Sequence, residues 1–330
     1  MRAGSDAPIE QGERMSDTRQ ERILRVGEPL RLRPGATVSL ADDFDPGDTV
    51  EVNGKKQGKK LLKTAVKDIS DYQRRLAAEE RDGVLVVIQA LDAGGKDGTI
   101  RHVLSGVNPA GVAVQSFKQP SAEELAHDYL WRYKQHLPAP GQIAVFNRSH
   151  YEEVLVVRVH PELLEAQPVS AAATGADVWQ RRFREINEWE RDLVDHGVRI
   201  VKLLLNISNE EQRVRFLRRC DLPEKHWKFS ASDINEREHW DEYGFAFSEM
   251  LAHTSTDWAP WHVIPADHKW FARLAAASVL MGTLMRIDPQ IPEVDAEARE
   301  ALDAARAELE TQAPRDEPAD PVAEDPDEYR

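Results

Sequence analysis

The 330-residue sequence has only one cysteine, Cys220, and no long uninterrupted apolar run. A single cysteine excludes an internal disulfide and a cysteine-rich metal site. No apolar run approaches the roughly 20 residues that a membrane-spanning helix needs. The first 21 residues have no apolar core, which argues against a signal peptide. We therefore expect a cytoplasmic protein with no membrane partner.

Negative charge is concentrated at one end of the sequence. The net charge is −15 at pH 7, and residues 293–330 account for −10 of it, with 14 acidic residues against four arginines. We expect this Pro-, Asp- and Glu-rich tail to be disordered; a role in partner binding is left open. Residues 1–292 are nearly balanced and can bear a local basic patch. Without a strongly basic domain or a nucleic-acid motif, nucleic acid is not an expected partner.

Short apolar runs alternate with segments of helical periodicity in the remaining sequence. The run "GVLVVIQA" at residues 83–90 is typical of a buried parallel strand, and residues 142–146 predict another. Strands that alternate with helices of about a dozen residues indicate a parallel sheet covered on both faces. The prediction is an α/β protein of three layers, α/β/α, preceded by a flexible arm at residues 1–20.

The segment "ALDAGGKDGT", residues 90–99, follows the first strand directly. The pattern G-x-x-x-x-G-K-[ST] would need glycine at Ala90 and a hydroxyl at Asp97, so the match is incomplete. Ligands of open parallel sheets bind beyond the carboxyl ends of the strands, where glycines let N–H groups face an anion at a helix N-terminus. An ordinary glycine-rich turn is the alternative. The candidate phosphate-binding residues are Gly94, Gly95, Lys96, Asp97, Gly98 and Thr99.

Asp92 is the unusual member of this loop, because a carboxylate repels a bare phosphate. A carboxylate is compatible with phosphates when Mg²⁺ lies between them, and it can also orient or deprotonate an attacking phosphate oxygen. A helix N-cap is the alternative role, for which aspartate is well suited. Asp92 is therefore a candidate ligand of Mg²⁺, with Mn²⁺ as the other ion considered.

Further candidates follow later strands. Arg148 comes just after strand 142–146 and is expected to face the same crevice, whereas Asn147, Glu152 and Glu153 are weaker candidates for metal contact. Arg215 and Arg219 share one helix face, and arginines on a helical arm can neutralise a phosphoryl group in transit. A solvated charged face is the alternative for these arginines.

Other basic residues are candidates for contacts with a long anion. They are Lys118, Arg132 and Lys228. No zinc-ligand spacing stands out among the 11 histidines, and no Ser/His/Asp arrangement is visible. Most tryptophans are expected to pack in or beside the core rather than stack on bases.

Several blocks of the sequence, taken in order, resemble the family 2 polyphosphate kinases. They are "ALDAGGKDGT", "FNRSHYEEVLVVRVHPELL", "RRFREINEWE", "SNEEQRVRFLRR", "HWKFSASDINEREHWDEY" and "WHVIPADHKWFAR", which together span roughly residues 25–287. The resemblance implies a P-loop kinase-like domain at residues 21–292 with a helical lid at approximately 205–245. It also implies Mg²⁺-dependent transfer of the terminal phosphoryl group of inorganic polyphosphate to a nucleoside mono- or diphosphate.

The resemblance carries roles over to individual residues. Asp92 and Lys96 match the functional acid and lysine of the loop, and Arg148 matches the arginine of the second motif. Arg219, with Arg215 close behind, matches the lid arginine. Many members have Asp-Arg where this sequence has Asn147-Arg148. The Asn form resembles the subgroup called class III, whose members accept AMP as well as ADP and form ATP; family members commonly assemble into dimers or tetramers.

Two rival functions remain open from the residues alone. An ATP-dependent P-loop kinase of a nucleotide or small metabolite has the same core and lid, and differs only in its phosphoryl donor. A non-catalytic module that binds nucleotide or polyphosphate is the other rival. The joint presence of Asp92, Lys96 and Arg148 with the lid arginines disfavours that second rival.

Overall fold

The computed structural model of the chain describes residues 18–167, 177–228, 230 and 232–313, except for the side chains of Lys228 and Ser232. The described chain divides after Gln290 into two compact units. Of the predicted arm at residues 1–20, only residues 18–20 are described. They belong to the start of a helix, because the Thr18 side chain accepts a hydrogen bond from the Glu21 N–H at 3.2 Å and caps it.

Five strands form one parallel sheet. They are β1 (Gly83–Gln89), β2 (Val112–Ser116), β3 (Ile143–Asn147), β4 (Val198–Asn206) and β5 (Trp261–Pro265). Their order is β2-β3-β1-β4-β5, and the four ladders are parallel. Every carboxyl end therefore lies at the same edge of the sheet. The central strand β1 is buried along its whole length, as expected for a strand with both faces covered.

The α-helices connect and cover these strands. They are α1 (Arg19–Gly27), α2 (Leu40–Asp43), α3 (Gly54–Glu79), α4 (Lys96–Val103), α5 (Ala122–Leu125), α6 (Trp131–Lys134), α7 (Val156–Val159), α8 (Glu162–Glu165), α9 (Val178–Asp195), α10 (Asn209–Asp221), α11 (Ser232–Asn235), α12 (Trp240–Thr254), α13 (Lys269–Ile287) and α14 (Ala296–Thr311). Helices α1, α3, α4 and α13 pack together on one face, and α9 and α12 on the other. The predicted three-layer α/β/α fold is confirmed.

Helix α13 is long and apolar enough, by length and composition, to cross a membrane. It has 19 residues and a mean hydropathy of 1.2 in its apolar window, so an apolar segment of nearly the length required does exist here. However, 72% of that window is buried inside the domain, with Phe271, Leu274 and Leu284 fully buried. A helix that is apolar all round is equally at home in a protein core, and that is the environment this structure shows.

A buried ionic cluster supports the chain where it turns after β3. Lys202 Nζ donates to Glu190 Oε2 at 2.6 Å, to the Tyr151 hydroxyl at 2.8 Å and to the Thr254 carbonyl at 2.7 Å. The Tyr151 hydroxyl in turn donates to Glu190 Oε1 at 2.7 Å, and His150 contacts the same oxygen at 3.1 Å. Removing one partner of such a fully buried pair typically costs about 3–5 kcal/mol.

Within the second unit, the structure differs from the expected disorder of residues 293–330. Residues 296–311 form α14, whose N-cap Asp295 accepts a hydrogen bond from the Ala298 N–H at 2.8 Å. Ala, Leu, Glu and Arg, which fill this segment, are strong helix formers. No residue of α14 is buried, and the rest of the predicted tail, residues 314–330, lies outside the described residues.

Candidate active site

The loop between β1 and α4 turns sharply before the helix begins at Lys96. Gly95 has φ = +107° and Ala93 has φ = +61°; the left-handed region favours glycine, so the alanine carries backbone strain of about 1 kcal/mol or more. A Cβ at Gly94 would lie 2.6 Å from the Ala90 Cβ and 2.8 Å from the Leu91 carbonyl oxygen. Only glycine fits at position 94, and the turn directs the N-terminus of α4 into the space beyond the strands.

That space is an open cleft of about 840 Å³ at the carboxyl edge of the sheet. Nine cationic and three acidic side chains line it, so its field favours a polyanionic ligand. The cations are Lys96, Lys118, Arg148, Arg215, Arg218, Arg219, Lys225, Lys269 and Arg273, and the acids are Asp92, Asp97 and Asp233. The structure thus brings together the predicted loop, the residues after β3 and the arginines of α10.

Asp92 and Arg148 form an ion pair in this cleft. Arg148 Nη2 donates to Asp92 Oδ1 at 2.7 Å, and Nη1 donates to Glu152 Oε2 at 3.3 Å. Burial opposes ionisation of Asp92, but Lys96, Arg148 and Arg219 outweigh it and hold the pKa of its carboxyl below the usual value. Arg148 has φ = +64°, a strained conformation of the kind that clusters at functional sites.

Lys96 lies at the first turn of α4, and its ammonium group folds back over the loop. Nζ donates to the Ala90 carbonyl at 2.7 Å and to the Leu91 carbonyl at 3.4 Å. Burial lowers the pKa of Lys96, and the charge of Arg148 adds to the effect, although nearby carboxylates oppose it. An anion that approaches the loop would therefore stabilise the charged form of Lys96.

Asn147 and Asp97 connect the ends of two neighbouring strands to the loop. Asn147 Nδ2 donates to Asp97 Oδ1 at 2.9 Å and to Ser116 Oγ at 3.3 Å. The amide nitrogen is thereby directed at Asp97, so the residue orients a carboxylate on the cleft wall. Thr99, by contrast, is buried within α4 at the base of the cleft.

Arg215 and Gln212 of α10 hold the backbone of the phosphate loop. Arg215 Nη1 donates to the Ala93 and Gly94 carbonyls at 3.0 and 2.9 Å, and Gln212 Nε2 donates to the Asp92 carbonyl at 3.0 Å. Three successive carbonyls are thus bound by α10. The Arg215 guanidinium also donates to the carbonyls of residues 266 and 267 at 2.5 and 3.3 Å. The Arg215 guanidinium is therefore held by backbone carbonyls. The sequence had made Arg215 a candidate lid arginine, a role in which the guanidinium would instead contact a phosphoryl group.

Arg219 lies one turn further along α10 and faces the cleft. Its Nη1 donates to Asp233 Oδ2 at 2.9 Å, and its guanidinium carbon lies 5.0 Å from the centre of the Phe216 ring. Burial and the charge of Asp92 raise the pKa of Asp233, although Arg219 opposes this effect. Arg219 thus lines the cleft beside an acidic partner, and its role as the lid arginine stays a prediction.

Three predicted residues are not placed at the cleft. The buried Arg132 supports the chain after β2, since its Nη2 donates to the Lys118 carbonyl at 2.9 Å. The Glu153 carboxylate accepts hydrogen bonds from Gln167 at 2.7 Å and Arg182 at 3.3 Å, which removes it from the metal candidates. The side chain of Lys228 lies outside the part of the chain that the structure describes.

Sequence reasoning missed Gln212, Lys225, Lys269 and Arg273 at or beside the cleft. Lys269 and Arg273 follow β5 with a spacing of four, so the rule that ligands bind beyond strand ends could have found them. Gln212 has no such signal, because its partner Asp92 lies 120 residues away in the sequence.

A Gly-Lys loop between the central parallel strand and a helix, facing a cationic cleft at the carboxyl edge, defines a P-loop kinase-like phosphotransferase. The sequence family agrees, since the model of the family described as Polyphosphate kinase 2 (PPK2) matches residues 52–292. The chain belongs to this family, and the resemblance recognised in the sequence is confirmed.

Two relatives match over most of their length. An ADP-polyphosphate phosphotransferase of Rhodopseudomonas palustris is 46% identical over 287 residues, which cover 87% of this chain and 97% of that protein. An AMP/ADP-polyphosphate phosphotransferase of Meiothermus ruber is 46% identical over 264 residues, 80% of this chain and 94% of that protein. Among solved structures, polyphosphate kinase 2 from Arthrobacter aurescens TC1 aligns with a TM-score of 0.75 and 38% identity, over 84% of this chain and 96% of that one.

Proposed function

We propose that this chain transfers the terminal phosphoryl group of inorganic polyphosphate to AMP or ADP. The observation that carries the proposal is the grouping of Asp92, Lys96 and Arg148 at the head of a cleft lined mainly by cations. The relatives described above are named as phosphotransferases of polyphosphate and adenine nucleotides, and they support the same donor and acceptors. The alternative of an ATP-dependent kinase lacks such support.

Phosphoryl transfer requires placement in line and neutralisation of charge, and little covalent chemistry from the protein. The N-terminus of α4 and the loop glycines receive one end of the phosphate chain. The ammonium group of Lys96 moves from the loop carbonyls to the phosphate oxygens when they arrive. Side chains such as Arg218 and Lys269 line the rest of the cleft and hold the chain further from the reacting group.

Asp92 fits a role as ligand of a divalent metal ion. Its Oδ2 accepts no hydrogen bond from the described residues, and its pKa is low enough to keep the carboxylate charged. The described residues contain no group of three or more His, Cys, Asp or Glu that could hold a metal ion by themselves. Mg²⁺ commonly uses one or two carboxylates together with substrate phosphates, which suits Asp92 with Asp97 nearby. When bound, Mg²⁺ or Mn²⁺ would neutralise phosphate charge beside the loop.

Arg148 and Arg219 stabilise the charge of the phosphoryl group during transfer. In the structure both are held by carboxylates, Arg148 by Asp92 and Glu152, and Arg219 by Asp233. These pairs keep the guanidinium groups at the cleft before substrate arrives. Phosphate oxygens then compete for the guanidinium groups through charge-assisted, bidentate hydrogen bonds.

The acceptor is tested by a coupled assay with purified protein, Mg²⁺, long-chain polyphosphate and either AMP or ADP, with no ATP added. Formation of ATP from both nucleotides supports the proposal and the class III acceptor range. Formation of ATP from ADP alone would support the family activity but would exclude AMP as an acceptor. No ATP from either nucleotide would contradict the proposal. Assembly into a homo-oligomer and a cytoplasmic location remain predictions from the sequence.

A further inference from the structure

A second cleft lies at the amino edge of the sheet, opposite the catalytic cleft, where strands β4 and β5 begin. Its volume is about 830 Å³, close to that of the catalytic cleft, and its walls come from α1, β4, β5 and α13. We call it the amino-end cleft and define it by Arg31, Arg199, Trp258, His262, Thr283 and Arg286. None of these residues lines the catalytic cleft.

Two arginines of the amino-end cleft have no acidic partner among the residues that the structure describes. Arg199 is paired with Asp82 at 2.9 Å, but the Arg31 guanidinium makes no hydrogen bond or ion pair with the described residues. Within the described part of the chain, Arg286 donates only to the Thr283 hydroxyl, at 3.0 Å. Burial lowers the pKa of Arg286, and the positive charge of Arg31 lowers it further. Two like charges therefore converge on the cleft without an anion from the described chain between them.

The carboxylates of the cleft do not compensate this charge. Asp82 accepts from Arg199 and also from Arg81, at 3.2 Å, so it is already shared. Glu28 and Asp257 line the cleft as well, but neither forms an ion pair with Arg31 or Arg286 within the described residues. Two guanidinium groups remain, with planar donor forks that match phosphate oxygens.

Buried nitrogen atoms on the same wall also have no partner. His262 is 9% exposed, and its Nδ1 has no hydrogen-bond partner among the described residues; the same is true of Trp258 Nε1. Burial lowers the pKa of His262 to about 4; the nearby Lys202 backbone opposes this shift, and the charges of Arg286 and Arg31 add to it. The imidazole is therefore neutral at pH 7. Buried polar groups without a partner are uncommon in native proteins and call for one.

We propose that the amino-end cleft is a second anion site, which binds a phosphate oxyanion between Arg31 and Arg286 beside His262 and Trp258. Phosphate fits because its oxygens accept several hydrogen bonds at once and its charge removes the repulsion between the guanidinium groups. The source is either a phosphate of a polyphosphate chain or free orthophosphate. The site goes beyond the proposed catalysis, since it is separated from the phosphate loop by the length of a strand.

Binding is measured by isothermal titration of the full chain with tripolyphosphate and, separately, with orthophosphate at constant ionic strength. The wild type is expected to show a class of site in addition to the catalytic one. The double variant Arg31→Gln/Arg286→Gln should lose that class, with affinity weakened about tenfold or more, while it still forms ATP from saturating polyphosphate and ADP. The matched control Arg33→Gln/Arg74→Gln removes the same charge outside the cleft and should retain both classes.

The titrant that binds identifies the source of the oxyanion. Binding of tripolyphosphate alone assigns the site to polyphosphate, and binding of orthophosphate assigns it to the free ion. A single class of site in the wild type, or unchanged binding in the double variant, would overturn the proposal. If the double variant fails to fold, the number of site classes in the wild-type titration still tests the proposal. The indole N–H resonance of Trp258, assigned with Trp258→Phe, should shift during the titration, and a resonance that does not move refutes the site.

Discussion

The substitution Arg215→Lys separates the role of Arg215 as a support of the loop from a role at the reacting phosphoryl group. Lysine keeps the positive charge but has one nitrogen in place of the guanidinium fork. In the structure that fork donates to four carbonyls, two in the phosphate loop and two after β5. A single ammonium group cannot serve both segments, so at least two buried carbonyls lose their donor.

The size of the effect follows from these bonds. A hydrogen bond from a charged group contributes about 1.5–3 kcal/mol, so the loss of two costs roughly 3–6 kcal/mol. Large domains lose about 2–4 °C in Tm for each kcal/mol, which predicts a fall of roughly 6–24 °C. Displacement of the loop by about 1 Å can reduce a reaction rate by about 10²-fold, and kcat/KM for polyphosphate should fall by that order.

Thermal unfolding and steady-state kinetics with polyphosphate and ADP measure the two effects. Arg218→Lys is the matched control, because Arg218 is an exposed arginine of the same helix that also lines the cleft. The control should keep the Tm of the wild type within about 1 °C, as surface substitutions usually do. An Arg215→Lys variant with unchanged Tm and a selective loss of kcat would refute the supporting role. It would indicate instead that Arg215 contacts the phosphoryl group during transfer.

Three further predictions concern single side chains. Lys96→Met should reduce kcat by about 10²–10³-fold, as loss of one electrostatic stabiliser does, whereas Lys118→Met at the exposed rim should cost far less in the same assay. Asp92→Asn should abolish turnover and weaken its dependence on Mg²⁺; unchanged turnover would exclude the metal role. The folded-state pKa of Asp92 is lowered, so its contribution to stability is present above about pH 4 and is lost as pH falls through the folded-state pKa. Acid unfolding of the Asn variant should therefore depend less on pH than that of the wild type. Lys202→Met leaves the Glu190 carboxylate buried without its cation and should lower the free energy of unfolding in urea by about 3–5 kcal/mol. The double variant with Glu190→Gln should regain part of this loss. A Lys202→Met variant with unchanged stability would refute the importance of the pair.

Local patterns were enough to predict most of the fold. β1, the loop after it and the helices around it all follow from periodicity and from glycine chemistry over fewer than about 20 residues. The edge strand β2 was missed, because it is short and partly exposed and its run "VAVQS" has little apolar periodicity. The helix α14 was missed for another reason: acidic composition was taken to mean disorder although the segment is filled with helix formers.

The site was only partly accessible to sequence reasoning. Asp92, Lys96 and Arg148 lie at strand ends, where the rule for parallel sheets places ligands. The distinction between Arg215 and Arg219 depends on contacts with chain segments far away in the sequence, such as the bond from Arg215 to the Ala93 carbonyl. Glu153, next to Glu152, is directed to Arg182 instead of the cleft, a difference set by tertiary packing alone.

Polyphosphate labelled with ³²P shows whether the cleft transfers a phosphoryl group directly from polyphosphate to a nucleotide. Purified protein is incubated with labelled polyphosphate, Mg²⁺ and unlabelled ADP, and the nucleotides are separated. We expect labelled ATP from the wild type and about 10²–10³-fold slower labelling with Lys96→Met. Label that remains in polyphosphate or appears only as orthophosphate with the wild type would contradict direct transfer.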